Sequence, residues 1–336
     1  MARLLLLICL VASLYVPLAL YVRDNYPNFG TIDYPLWEHA FAFARNASGD
    51  NPDVVFLGDS RVLAGVYPRA ISPSAISLSL TATAPFANYF LLRTYLRNHR
   101  PPQVVVVAFA PENLYQASMD PGIVYWNLDI LEGIDVLSTS VRLKDKPWRY
   151  PNGRQVSVWG ICKDFCDLFL YKGFYLPYYP GFFANEIDRC KQFNEMHLKG
   201  QRESRGFILF GTANGCTNLN RAAGENETRY SPLVLHYVDA TLALCKLKNI
   251  PVIFTTMPFS ESSYSHLSAN YVKEYAKVTQ ALKDKYPAFE IHTKINVLPD
   301  QYFGDPSHVN FEGTKVVTSG LRELLVQRGY IGHSKK

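Results

Sequence analysis

The sequence predicts an α/β protein built on a doubly wound parallel sheet, with one large irregular insertion. Three observations predict it. The runs Asp53–Gly58 (DVVFLG) and Gln103–Ala110 (QVVVVAFA) are short, apolar and rich in β-branched residues. Such runs are strands covered on both faces, as parallel sheets require. Strand-like runs alternate with helical periodicity at both ends of the chain, the mark of βαβ units. Between Pro111 and Arg229 that alternation stops.

The elements follow in chain order. Leu4 to Val22 carries no charge and is close to the roughly 20 residues that cross a bilayer. Residues 1–23 therefore read as a transmembrane anchor or a signal. The lack of a small-x-small exit favours an uncleaved anchor, which places the bulk of the chain outside the cytoplasm. Residues 24–52 read as a connector with a helix over Trp37–Arg45. Asp53–Gly58 is the first strand, and Ala75–Leu80 a weaker second one. Pro85–Asn98 reads as a helix with proline in its first turn, and Gln103–Ala110 as the next strand.

Residues 111–229 are rich in Tyr, Phe, Pro, Gly and Asn, as in Tyr171–Pro180 (YKGFYLPYYP). Their aromatic content is too high for disorder, so they form an inserted region. A sugar-stacking surface, a membrane-facing lip and a local core all fit the aromatics of 171–183. Helix and strand then resume: a helix over Pro232–Asn249 and a strand over Pro251–Thr256. A long helix is expected over Tyr264–Tyr286, with Leu267, Tyr271, Tyr275, Val278 and Leu282 at helical spacing. Phe289–Ile291 is a short strand and Asn310–Arg328 the final helix. Residues 53–110 and 230–330 together make the main domain.

Composition narrows the function. Hydrophobic residues are 48% and charged residues 19%, which is globular. The net charge of +5 comes without a dense basic tract, so nucleic-acid binding is set aside. Cys9 lies in the apolar run; Cys162, Cys166, Cys190, Cys216 and Cys245 follow. In an oxidising compartment the middle four fit one or two disulfides. Cys162-x3-Cys166 lacks a second ligand pair for zinc. His197, His236, His266 and His292 have no ligand spacing, so neither a metal nor another cofactor is expected. Asn46 and Asn226 head glycosylation sequons, a pattern frequent by chance.

Two constellations carry chemistry. Gly58-Asp59-Ser60-Arg61 directly follows the first strand. A serine there sits at the carboxyl edge of the sheet, where nearby backbone N–H groups, its own included, can stabilise an oxyanion. Taken alone, the tripeptide reads first as a turn or a helix cap. The second is Asp305-Pro306-Ser307-His308, just before the last helix. His308 can serve as general base toward Ser60, and Asp305 can set its tautomer. Arg61 can pin a substrate carboxylate or phosphate, or pair with a nearby acid. Glu112 and Asp120 read as solvated loop carboxylates.

Together the two motifs resemble the SGNH (GDSL-type) hydrolase superfamily. The resemblance covers both ends of the main domain and leaves out residues 111–229. It implies a three-layer, flavodoxin-like sheet, with Ser60 as nucleophile and Asp305/His308 completing a triad. The Ser60-Arg61 form and His308-Val-Asn310-x-x-Gly313 look most like the membrane-anchored branch. That branch includes alginate O-acetylation proteins and the D-alanyl transfer protein of teichoic acid synthesis.

The resemblance also implies further oxyanion donors. The family's glycine after the second strand is missing from Ser77–Pro85, where Ala82 is the nearest equivalent. Asn113 stands where the family has an asparagine after the third strand. The implied activity is acyl transfer, as O-acyltransferase or esterase, on a surface glycan or glycoconjugate. The partners would be an acyl donor, the glycan acceptor, the membrane through residues 4–22, and a membrane protein that delivers the acyl group. The alternative is a non-catalytic binding or assembly protein of a surface-polysaccharide system that keeps the fold; the absent glycine is its support.

Overall fold

A computed structural model describes residues 34–46, 49, 51–81, 83–115, 128, 130–145, 187–224 and 230–332, with a few positions between 9 and 17. The strands among them are β1 (Val54–Gly58), β2 (Ile76–Ser77), β3 (Val104–Ala108), β4 (Val252–Thr255), β5 (Phe259–Ser260), β6 (Glu290–Ile291) and β7 (Val297–Leu298). Five of them form one sheet in the order β2-β1-β3-β4-β6, and β5 pairs with β7 in a second. Every pairing is parallel, with Val54 opposite Val104 and Val105 opposite Val252. The order is compatible with a flavodoxin-like arrangement.

The helices are α1 (Tyr34–Arg45), α2 (Ser60–Gly65), α3 (Pro68–Ile71), α4 (Pro85–Asn98), α5 (Glu112–Tyr115), α6 (Ile130–Leu143), α7 (Ile187–Ser204), α8 (Pro232–Leu247), α9 (Glu261–Ser265), α10 (Ala269–Lys285) and α11 (Phe311–Gln327). Alternate strand residues divide between two cores, as the period of 2 demands. Val55, Leu57, Val105, Val107, Val252 and Phe254 pack with residues of α1, α4, α8 and α10. Val54, Phe56, Val104, Val106, Ala108 and Ile253 pack with Val62, Val66 and Ile71 around α2 and α3, and with Leu325 of α11. Helices thus flank the sheet on both faces.

The structure departs from the expected elements in four places. The expected long helix is two: Ser268 accepts the Tyr271 N–H at 3.1 Å and caps a fresh start at α10. Apolar spacing runs unbroken through that cap, which hides the break. The helix of the expected connector belongs to the core. Trp37 is fully buried, and its indole N–H donates to the Thr81 carbonyl at 2.9 Å. Residues 205–222, expected within the insertion, return to the sheet. The Arg205 carbonyl accepts the Ser77 N–H at 2.9 Å, and the Ile208 N–H donates to Leu63 at 2.9 Å. At Gly206 (φ +101°) a Cβ would lie 2.2 Å from the Ser77 carbonyl oxygen, so a side chain does not fit. Finally, β5 and β7 span two residues each, too few for a periodic signal.

Among the described residues no helix is long and apolar enough to cross a membrane; most of residues 4–22 lie outside them. Cys9, Cys216 and Cys245 are free thiols. Cys162, Cys166, the Cys190 side chain, Asn226, Asp120 and residues 171–183 lie outside the described set.

Candidate active site

Sheet topology places the site. From β1 the chain moves to β2 on one side; β3, β4 and β6 lie on the other. The carboxyl ends of β1 and β3 therefore flank the point where the winding reverses, and ligands of such sheets gather there. Gly58 ends β1. A Cβ at Gly58 would fall 2.2 Å from the Ala108 carbonyl oxygen of β3, which only glycine avoids. The Gly58 N–H donates to Asn88 Oδ1 at 3.0 Å. Asp59 caps α2: its Oδ1 accepts the Arg61 N–H at 2.9 Å. Its Oδ2 accepts the Ala110 N–H at 3.0 Å and the Asn113 side-chain amide. This buried carboxylate thus joins the turn after β1 to the turn after β3, and Ser60 follows it as the first residue of α2.

The loop before α11 reaches the same edge. His308 Nε2 lies 2.9 Å from Ser60 Oγ. Its Nδ1 lies 2.8 Å from Asp305 Oδ2 and 3.1 Å from Oδ1. An ionised carboxylate only accepts, so Nδ1 carries the proton and Nε2 is left to accept the Ser60 O–H. Asp305 Oδ1 also accepts the N–H groups of Ser307 at 2.7 Å and His308 at 2.8 Å. Burial works to raise the Asp305 pKa. The hydrogen bond and charge of His308, with the two N–H groups, outweigh it and hold the carboxyl below its ordinary range. The Phe210 ring lies against the His308 ring, with centroids 5.0 Å apart.

The other expected site residues take varied places. Ala82 lies outside the described residues, but its flanks are held. The Leu80 N–H donates to Gly58 at 3.1 Å, Trp37 holds Thr81, and Asn88 Nδ2 lies 3.4 Å from Thr83 Oγ1. Among the described residues no acceptor meets the Ser60 backbone N–H, which belongs to the first residue of α2. Asn113 gives an amide N–H to Asp59. Of the two readings of Arg61, the structure shows the ion pair: its guanidinium is bound to Glu112 and lies 5.0 Å over the Phe259 ring. Glu112, expected in solvent, has a side chain only 22% exposed, because Arg61 draws it inward.

Asp59, Asn88 and Glu112 escaped the sequence reading as site-building residues. Asp59 had a signal, the preference of aspartate for N-caps. Asn88 had none, because Gly58, thirty residues earlier, meets it only through the fold. Among the described residues no group of three or more His, Cys, Asp or Glu is placed to hold a metal. What has been assembled is a hydroxyl, an imidazole and a carboxylate in sequence, the order in which a base activates a serine and an acid orients the base. No protein-family model matches the chain, and no curated protein matches it.

Proposed function

We propose that the chain is a serine-dependent acyl-transfer enzyme of the SGNH type. It works as an O-acyltransferase or esterase on a cell-surface glycan or glycoconjugate. The observation that carries the reading is the 2.9 Å approach of Ser60 Oγ to His308 Nε2, with Nδ1 on Asp305. Ser60 Oγ attacks the acyl carbon of an ester donor while His308 takes its proton. The tetrahedral oxyanion draws on the Ser60 backbone N–H, with Ala82 and Asn113 as further donors. His308 returns the proton to the departing alcohol, leaving acyl-Ser60. A sugar hydroxyl, or water, then gives its proton to His308 and attacks the acyl carbon. Ser60 leaves reprotonated, and the new ester or acid is released.

The apolar run over residues 4–22 supports an anchor in the membrane with catalysis on its outer side, and the membrane partner that hands over the acyl donor rests on the resemblance alone. The glycan acceptor rests on the resemblance to polysaccharide O-acetylation and teichoic acid D-alanyl transfer proteins. The test is labelling of the full chain with a serine-directed fluorophosphonate. Wild type is expected to label at Ser60 and Ser60→Ala to lose the label. Equal labelling of both removes Ser60 as nucleophile. Normal surface modification in cells carrying Ser60→Ala supports instead a binding or assembly protein that keeps the fold.

A further inference from the structure

Residues 205–222 close over the loop that carries Asp305 and His308, and one buried side chain from this segment enters the span between them. Asn220 is 4% exposed. Its Nδ2 donates to the Pro306 carbonyl at 3.2 Å and to Ser307 Oγ at 3.0 Å. Its Oδ1 accepts the Ala222 N–H at 2.9 Å, and its own N–H donates to Ser263 Oγ at 2.9 Å. Ser263 is fully buried and lies 2.9 Å from Ser260 Oγ of β5. The Asn220 backbone is thus held by the β5–α9 corner and its carboxamide oxygen by the Ala222 N–H, while the carboxamide nitrogen grips the turn.

We propose that Asn220 is a positioning residue for the acid–base pair, fixing the Pro306-Ser307 span so that the Asp305 carboxylate stays under His308 Nδ1. The inference rests on the acyl-transfer reading for its consequence in catalysis, and on geometry alone for its consequence in structure.

Pro306 and Ser307 are the two residues between Asp305 and His308. The direction of the Asp305 carboxylate is set across this span, because Oδ1 accepts the N–H of both Ser307 and His308. Pro306 brings no N–H of its own, so the turn has one internal donor fewer. The Asn220 amide supplies two from outside, one to a carbonyl and one to a hydroxyl. A hydroxyl or an acid at position 220 lacks this pair of donors.

The segment is also registered on the loop along its length, so a change at Asn220 is not absorbed by slippage. Gly211 and Gly304 touch backbone to backbone: a Cβ on Gly304 would sit 2.2 Å from the Gly211 carbonyl carbon. Asn310 Nδ2 donates to the Ala213 carbonyl at 3.1 Å, the Gly215 N–H to Phe303 at 3.1 Å, and the Cys216 N–H to Asp300 at 3.0 Å. Phe210, at the start of the same segment, packs on the His308 ring.

The test is Asn220→Asp in the full chain. It keeps the shape and the acceptor for Ala222 but turns an oxygen toward Pro306 and Ser307. Ser307→Ala, which removes one of the two acceptors and leaves the backbone alone, is the second variant. The first readout is the far-downfield proton resonance of an imidazole N–H held on a carboxylate, assigned by its loss in Asp305→Asn. It reads the clamp whether or not the protein is an enzyme. The expected result is loss or broadening of that resonance in Asn220→Asp and a partial change in Ser307→Ala, with cooperative unfolding retained. The second readout is ester turnover, where Asn220→Asp is expected to lower kcat about 10²-fold, the cost of a misplacement near 1 Å, with KM within about twofold. If Asn220→Asp fails to fold, an unmoved resonance and unchanged kcat in Ser307→Ala overturn the proposal; the same result in a folded Asn220→Asp overturns it directly. If fluorophosphonate fails to label wild-type Ser60 but the resonance moves as expected, the acyl-transfer reading has failed and the clamp stands.

Discussion

The Asp59 carboxylate accepts the backbone N–H of Ala110 at 3.0 Å, and this one bond ties the turn after β1 to the turn after β3. These two turns belong to neighbouring strands at the place where the winding of the sheet reverses. With Asn113 and the Arg61 N–H on the same carboxylate, Asp59 organises the floor on which Ser60 stands.

Asp59→Ala removes a helix cap and leaves buried donors without an acceptor. The expected loss of stability is about 3 kcal/mol, from the cost of an N-cap and of unmet buried N–H groups. A shift of the urea midpoint with an unchanged m-value checks it. A midpoint within error of wild type would mean that the three bonds contribute nothing.

Arg61 and Glu112 form a largely buried pair. Arg61→Met takes the guanidinium from a Glu112 carboxylate that keeps its other contacts, and a loss of about 2 kcal/mol is expected, the worth of a hydrogen bond to a charged group. Arg61→Met combined with Glu112→Met is expected to recover most of it, because a well-packed apolar pair replaces a buried ionic one at little cost. Chemical denaturation of the two singles and the double measures the coupling. The double variant also separates roles: recovered stability with a raised KM for an acidic acceptor assigns Arg61 to substrate, whereas an unchanged KM confines it to the ion pair.

Asp305→Asn reads the acid of the set in two ways. Turnover is expected to fall by ~10³–10⁴-fold, since the wrong tautomer of His308 then faces Ser60. Stability responds to pH with a defined sign. The folded pKa of Asp305 lies below its unfolded value, so its contribution is full above the unfolded value, about 3.9, and is lost as pH falls through the folded one. The difference in urea midpoint between wild type and Asp305→Asn should shrink as pH falls below about 4. A difference that grows with acid contradicts the assigned direction.

Much of the fold was legible because its signals are local. Strands buried on both faces must be apolar throughout, so β1 and β3 stand out as VVFLG and VVVVA. The helix over Pro85–Asn98 was legible to the residue, since proline at its start and the chain's turn at its end leave little choice. The break between α9 and α10 was not legible, nor was the return of residues 205–222 to the sheet. A serine cap inside an apolar repeat looks like one more helical residue. A segment without periodicity gives no sign of what it lies against.

The site divides in the same way. By itself the sequence determined that a serine would stand just past a buried strand, and that Asp305 and His308 would share one turn. Strand ends and turns are properties of a few neighbouring residues. Only the tertiary structure decided that the turn comes within 2.9 Å of a serine 248 positions earlier, and that Arg61 faces Glu112. It also decided that Asn88, Asn220 and Trp37 hold the surrounding loops. Those relations depend on sheet order and helix packing. Such contacts join residues far apart in the chain, and no window of sequence contains both partners.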